Sequence, residues 1–244
     1  FGWRGMFQIL GVVGLVYVFF YALFVKQTKP QEETKEDKSK KNKYFLHLLK
    51  FSLIWKLILC AFCISCINKG LDAWMPTYLI AERGINLKAV GYLTPIPFIA
   101  SFLSTAVCGW VMNKYFDKKE NWMIVICAAL TAIFLYFMYN AETIMWVVIF
   151  QCGVYFFKAC ILGTAVAIVL KIVTGSIAGS ASTLINMGGQ VAGFISPIIM
   201  GYLVYAFNGS FNAVFYYLMG VAALCAISAL LIPTRKEDML DLEK

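Results

Sequence analysis

Charge is scarce in this chain. Only 14% of its 244 residues are Asp, Glu, Lys or Arg and 61% are hydrophobic, whereas soluble domains carry about 25% charged residues. A soluble fold of this size could not hide that much apolar surface, so lipid is the expected partner of its exterior. Histidine is scarcer still. His47 is the only one, and it stands beside a polar stretch, so no His-based metal or proton-relay site is expected in the apolar runs. Those runs also hold no paired acids and no nucleophile next to a base, which argues against a membrane enzyme and against a cofactor. Cysteine is present, with eight residues, and Cys60, Cys63 and Cys66 spell C-x-x-C-x-x-C. No fourth cysteine completes an iron–sulfur run, and all three lie in an apolar stretch, so they are expected to pack as small hydrophobes. Nothing at the start resembles a signal peptide, and Phe1-Gly2-Trp3-Arg4 is expected to continue a longer chain.

What the chain has is long apolar runs. A helix needs about 20 residues to cross roughly 30 Å of hydrocarbon. Runs of that length occur at Gly5–Val25, Leu53–Ile80, Val90–Met112, Trp122–Tyr139, Thr143–Leu170, Ile177–Phe207 and Phe211–Ile232. The fold class read from them is an all-α integral membrane protein. The second, fifth and sixth runs exceed the length needed, so tilt or kinks are expected there, with Pro76 and Pro197 supplying two of them.

Lysine and arginine set an orientation. Apart from residues inside the runs, they concentrate in 26–50, 114–119, 171 and 235–244, whereas the opposite side holds Arg4, Arg83 and Lys88. This asymmetry places the N-terminus outside and the C-terminus in the cytoplasm of a multi-pass cell-membrane protein. Residues 26–52 mix Lys with Glu32, Glu33, Glu36 and Asp37 without apolar periodicity and are expected to form a cytoplasmic linker. The chain thus divides into a helix at 1–25, the linker at 26–52, six helices at 53–232 and a tail at 233–244. The net charge of +8 follows from this bias and implies topology and lipid contact, not nucleic acid.

Polar residues inside the runs are the functional candidates. A lysine at the bilayer centre costs about 2.5–3.5 kcal/mol on insertion scales and must face a cavity or a partner. Lys69 and Asp72, three apart in the second run, share a helical face where they can pair, while Lys158 has no acid in its own run. One reading is a structural Lys69–Asp72 pair, with Lys158 meeting a carboxylate elsewhere. The other has both ammonium groups facing an aqueous cavity that attracts an anion. Gln151, Tyr155 and Lys158 define one face of the fifth helix, and Ser182, Asn186 and Gln190 one face of the sixth. These could line the same cavity or bond neighbouring helices. Gly189, Gly193, Pro197 and Gly201 recur at intervals of four, a spacing for close helix packing or bending.

Several stretches resemble a known family. Lys69-Gly-Leu-Asp-Ala-Trp-Met-Pro-Thr-Tyr-Leu-Ile-Ala-Glu-Arg-Gly84, with Pro95 and Pro97 following, resembles the seventh and eighth helices of the major facilitator superfamily, in particular its anion:cation symporter family. Gly2-Trp3-Arg4 looks like the start of the sixth helix. Gly179 to Gln190, with Ser196-Pro197 and Gly201-Tyr202, is similar to the eleventh. Gly109, Asn113, Lys114 and Lys118 have the spacing of the cytoplasmic loop motif between helices eight and nine, although Asn113 stands where that motif has an acid, which puts a charged latch there in doubt. The resemblance implies a major facilitator-type helical bundle, here the C-terminal six helices plus one from the N-terminal half, made of two inverted three-helix repeats. It also implies alternating-access transport of organic anions such as sugar acids, with protons coupled through carboxylates in the first six helices. The missing N-terminal half is then a partner. By position Asn186 matches a solute-contacting residue, and Lys69 and Lys158 fall on cavity-lining helices.

The nearest alternative is the organophosphate:phosphate antiporter family, whose seventh helix is similar around Trp74-Met-Pro-Thr-Tyr-Leu. A seven-helix receptor is the alternative of another class. A retinal pigment is excluded because Phe211–Ile232 contains no lysine for a Schiff base.

Overall fold

The computed structural model describes residues 2–24, 49, 52–117, 119–172 and 178–232. The linker at 26–52 (apart from Leu49 and Ser52), the tail at 233–244, Val25, His47, Lys118 and Ile177 lie outside them. The described residues form helices α1 (Trp3–Phe24), α2 (Ser52–Ala81), α3 (Leu87–Leu93), α4 (Ile96–Tyr115), α5 (Glu120–Asn140), α6 (Ile144–Ile172), α7 (Ala178–Ala206) and α8 (Asn212–Leu230). Seven stretches of these, with α3 and α4 counted as one, are long and apolar enough to cross a membrane.

The chain divides into two units, residues 1–40 and 41–244. In the first, α1 is apolar on every side and exposes Phe7, Leu15 and Phe24 alike. A helix that is hydrophobic all round suits lipid or a membrane interior.

In the second unit α2 packs most closely on α7, α6 packs on α4 and α5, and α8 packs on α5 and α2. Two apolar cores lie one beyond the other along these helices. One gathers Ile54–Ile64 of α2 with Ile124, Ile161 and Cys225; the other gathers Ile67–Leu79 with Leu135, Tyr155 and Phe215. Cys60, Cys63 and Cys66 are all buried in this packing, and the Cys60 and Cys225 sulfurs lie 3.9 Å apart. Glycines admit the closest contact. A methyl placed on Gly188, Gly189 or Gly201 of α7 would meet Ile58, Ser65 or Trp74 of α2 at 2.7, 2.7 and 3.0 Å. Gly153 of α6 likewise lies against the Phe134 ring of α5.

Helices α2 and α7 continue through Pro76 and Pro197, whereas the single helix expected over Val90–Met112 is broken into α3 and α4. A lone proline forfeits one ladder bond, but Pro95 and Pro97 together remove the donors that would reach the carbonyls of Gly91 and Leu93. Thr94 closes α3 by donating its backbone N–H and its Oγ1 to the Val90 carbonyl, at 2.9 and 2.8 Å. Gly84 (φ 65) follows the end of α2, with Ile85 N–H reaching the Leu79 carbonyl at 3.0 Å, and α7 is closed by Asn208 (φ 53) and Gly209 (φ 87), where the Gly209 N–H donates to the Val204 carbonyl at 2.8 Å in a six-to-one closure.

Candidate functional site

Helices α2 and α6 cross at Asp72. The Tyr155 hydroxyl donates to Asp72 Oδ1 at 2.6 Å, and the Lys158 ammonium donates to the same oxygen at 3.1 Å while lying over the Tyr155 ring. In place of the Lys69–Asp72 pair of one reading, the structure has an interhelical Lys158–Asp72 pair, which also takes Lys158 out of the open cavity of the other reading. Burial explains the choice: Lys158 is sealed between helices while Lys69 is exposed, so the carboxylate offsets the larger desolvation cost at Lys158.

Burial separates the two partners. The Lys158 side chain is 5% exposed and that of Asp72 29%. Gln151 and Tyr155 are buried as well, so the polar face of α6 is one face, as its spacing predicts, but it points into the bundle. Helix α4 holds it there. Ser101 Oγ donates to the Tyr155 carbonyl at 3.0 Å, Ser104 Oγ to the Phe156 carbonyl at 2.6 Å, and the Phe98 ring stands edge-on to Tyr155. These serines went unnoticed in the sequence, where their spacing of three was the available signal.

Lys69, Asn186 and Gln190 are exposed. Among the described residues none of the three side chains makes a hydrogen bond or ion pair. They share the α2–α7 seam. A methyl on Gly193, three residues after Gln190, would lie 3.2 Å from Lys69 Cγ, so the lysine stem runs along the bare backbone of α7. On the same seam the Trp74 indole donates to the Pro197 carbonyl at 3.0 Å, and Ser196 Oγ donates to the Cys66 carbonyl at 2.8 Å. The structure thus groups Asp72, Tyr155 and Lys158 with Gln151 on their buried face, and sets Lys69, Asn186 and Gln190 apart on an open one.

The loop motif occupies the last turns of α4. Gly109, Asn113 and Lys114 are exposed there, with Lys114 over the rings of Trp110 and Tyr115 at 4.7 and 5.4 Å. Charged contacts do form at this loop, from residues outside the motif. Lys171, at the end of α6, reaches Glu120 at 2.7 Å and Asp117 at 3.4 Å, and the hydrogen bond to Glu120 holds its ammonium above the ordinary lysine value.

Seven apolar helical stretches long enough to cross a membrane, with the Lys158–Asp72 pair between two of them, define a multi-pass helical membrane protein. Residues 1–157 match the family model of the Major Facilitator Superfamily, and the chain belongs to that superfamily. Among curated proteins it is similar to the probable sulfoacetate transporter SauU of Cupriavidus necator, 25% identical over 93% of this chain and 57% of that one. It is also similar to the probable galactarate/D-glucarate transporter GudP of Bacillus subtilis, 23% identical over 95% and 56%, and to the hexuronate transporter of the same organism, 26% identical over 94% and 58%. The chain therefore spans little more than half the length of these relatives. Among solved structures, a bacterial homolog to the human lysosomal transporter Spinster, inward-facing and unoccupied, matches with a TM-score of 0.63 at 13% identity, over 99% of this chain and 60% of that one. That likeness concerns the fold.

Proposed function

We propose that the chain is the C-terminal part of a secondary transporter of the anion:cation symporter family, moving small organic anions such as sugar acids together with protons by alternating access. Residues 53–232 form its C-terminal bundle of two inverted three-helix repeats, α1 belongs to the N-terminal half, the N-terminus of this chain faces outside and the tail is cytoplasmic. The observation that supports an anionic solute is the charge balance inside the bundle. Lys158 is neutralised by Asp72 at 3.1 Å, and Lys69 is left exposed without a carboxylate among the described residues. An uncompensated ammonium inside a membrane protein is costly until an anion arrives, so binding the anion relieves a cost already present. Lys69 would face the anionic group, and Asn186 and Gln190 would bond hydroxyl or carbonyl oxygens of the solute. The relatives, named for sulfoacetate, galactarate, D-glucarate and hexuronate, support the same solute class.

The test is uptake by the full-length transporter in liposomes. At least one of labelled D-glucarate, D-galactonate and sulfoacetate should accumulate under an imposed inward proton gradient, and Lys69→Gln should weaken uptake of the preferred anion by roughly tenfold, the worth of about 1.4 kcal/mol. Counterflow against phosphate without proton dependence would instead identify an organophosphate antiporter. Cysteines at Asn140 and Lys114 should label from outside and from the cytoplasm, respectively; the reverse pattern would invert the topology.

A further inference from the structure

In residues 52–232, the charged side chains more than two helical turns from a helix end are Lys69, Asp72 and Lys158. Two of them cancel. Asp72 Oδ1 receives both the Lys158 ammonium at 3.1 Å and the Tyr155 hydroxyl at 2.6 Å. The exposures are unequal: Lys158 is sealed at 5% while Asp72 keeps 29% of its side chain open. Any anion coming from the open side of α2 therefore meets the Asp72 carboxylate before it can reach Lys158, and repulsion from that carboxylate offsets what Lys158 could offer. Lys69, one turn before Asp72, has no such screen. Its stem lies against Gly193, and its charge has no carboxylate partner among the described residues.

We infer that Asp72 sets the charge of the solute this bundle accepts: by holding Lys158 out of reach it leaves Lys69, among the described residues, as the one uncompensated cation more than two helical turns from a helix end, matched to one anionic group. The inference rests on the reading above that Lys69 faces the solute. An aldonate or uronate, with one carboxylate and several hydroxyls, fits one ammonium beside the Asn186 and Gln190 amides. An aldarate brings a second carboxylate towards a pair whose charges cancel, and gains nothing from Lys158. Asp72 is thus a specificity-determining residue that acts by withholding a cation from the second carboxylate, whose desolvation then goes uncompensated.

The matched probes are D-galactonate and galactarate, which share six carbons and the configuration of their hydroxyls and differ in one carboxylate. Dissociation constants would be measured on the purified full-length transporter by calorimetry. Wild-type protein should bind D-galactonate the tighter of the two. Asp72→Asn, which leaves Lys158 uncompensated, should move the ratio about tenfold towards galactarate, the size of one favourable charge contact. Removing both charges in Asp72→Asn/Lys158→Gln should return the ratio to its wild-type value, while Lys69→Gln should weaken both anions about tenfold or more.

A ratio unchanged within twofold in Asp72→Asn, or a double variant that loses both anions as heavily as Lys69→Gln, would overturn the inference, because Lys158 would then grip the solute itself. Should Asp72→Asn fail to fold, the double variant decides alone: a preserved ratio and constants within threefold of wild type support the inference, and a tenfold loss refutes it. Failure of wild-type protein to bind either probe, or D-glucarate or sulfoacetate, would remove the organic-anion reading and the inference with it, whereas binding that depends on Lys158 removes the inference alone.

Discussion

Breaking the Lys158–Asp72 pair from its two ends should have unequal costs. At 3.1 Å and an effective dielectric of about 20, two unit charges attract by roughly 5 kcal/mol, most of it offset by the cost of taking both from water. Asp72→Asn leaves an ammonium that is 5% exposed with only neutral oxygens near it. Stranding a buried charge in this way costs about 3–5 kcal/mol. Lys158→Met leaves the other partner, a carboxylate that is 29% exposed and still accepts the Tyr155 hydroxyl at 2.6 Å. That loss should be near the net worth of one charged hydrogen bond, about 1.5 kcal/mol. The double variant Asp72→Asn/Lys158→Met strands nothing and should lie within about 1 kcal/mol of wild type. Unfolding of a detergent-solubilised membrane protein is commonly irreversible, so the readout is the half-life of monodisperse full-length protein at one elevated temperature. The expected order is wild type and double variant, then Lys158→Met, then Asp72→Asn. A Lys158→Met protein that decays as fast as Asp72→Asn would refute the reasoning, since the lysine would then stabilise through its packed stem and not through its paired charge.

Three other outcomes are expected. Gly153→Ala drives a methyl into the Phe134 ring and should destabilise by about 1–3 kcal/mol, with Phe134→Val in the same molecule recovering most of it; a single variant as stable as wild type would contradict the α5–α6 packing. Gly193→Ala should weaken anion binding about threefold by displacing the Lys69 stem, and should add nothing once Lys69 is Gln; additive losses would show that the glycine and the lysine act independently. Lys171→Gln removes exposed pairs to Asp117 and Glu120 and should cost less than about 1 kcal/mol, a difference that vanishes near 1 M salt. Because the folded state holds that ammonium above its ordinary value, its contribution is complete at neutral pH and is lost as pH rises through the raised value; a salt-independent cost would point to packing of the lysine stem.

The spans were legible because a bilayer imposes one dominant rule on sequence, an apolar run long enough to satisfy its own backbone, and that rule is local. Helix α5 illustrates it, with Trp122–Tyr139 expected and Glu120–Asn140 observed. Proline was harder to read. One proline in a long run looks like a kink and two look like a motif, yet the number of ladder bonds lost decides the outcome. Helices α2 and α7 absorb the loss of one, and the stretch from Leu93 to Ile96 does not absorb the loss of two in three residues. The interval of four in α7 allows packing or bending, and its glycines Gly189, Gly193 and Gly201 lie against Ser65, Lys69 and Trp74 of α2.

The site was half legible, for a reason that applies to charged residues in any helical membrane protein. Periodicity assigns Gln151, Tyr155 and Lys158 to one face of α6, but it does not say what that face meets, because burial depends on which helix lies opposite. Proximity in sequence suggested Lys69 as the partner of Asp72. Across a bundle, however, the strongest partner is the one whose own burial would otherwise be most costly, and Lys158, fixed over the Tyr155 ring with α4 bonded behind it, has more to lose than a lysine already open on the α2–α7 seam. Asp72 therefore goes to the residue that most needs it, and Lys69 is left exposed on the α2–α7 seam. Where a membrane helix bundle contains more cations than carboxylates, the unpaired cation should be sought at the most open position and not at the most central one.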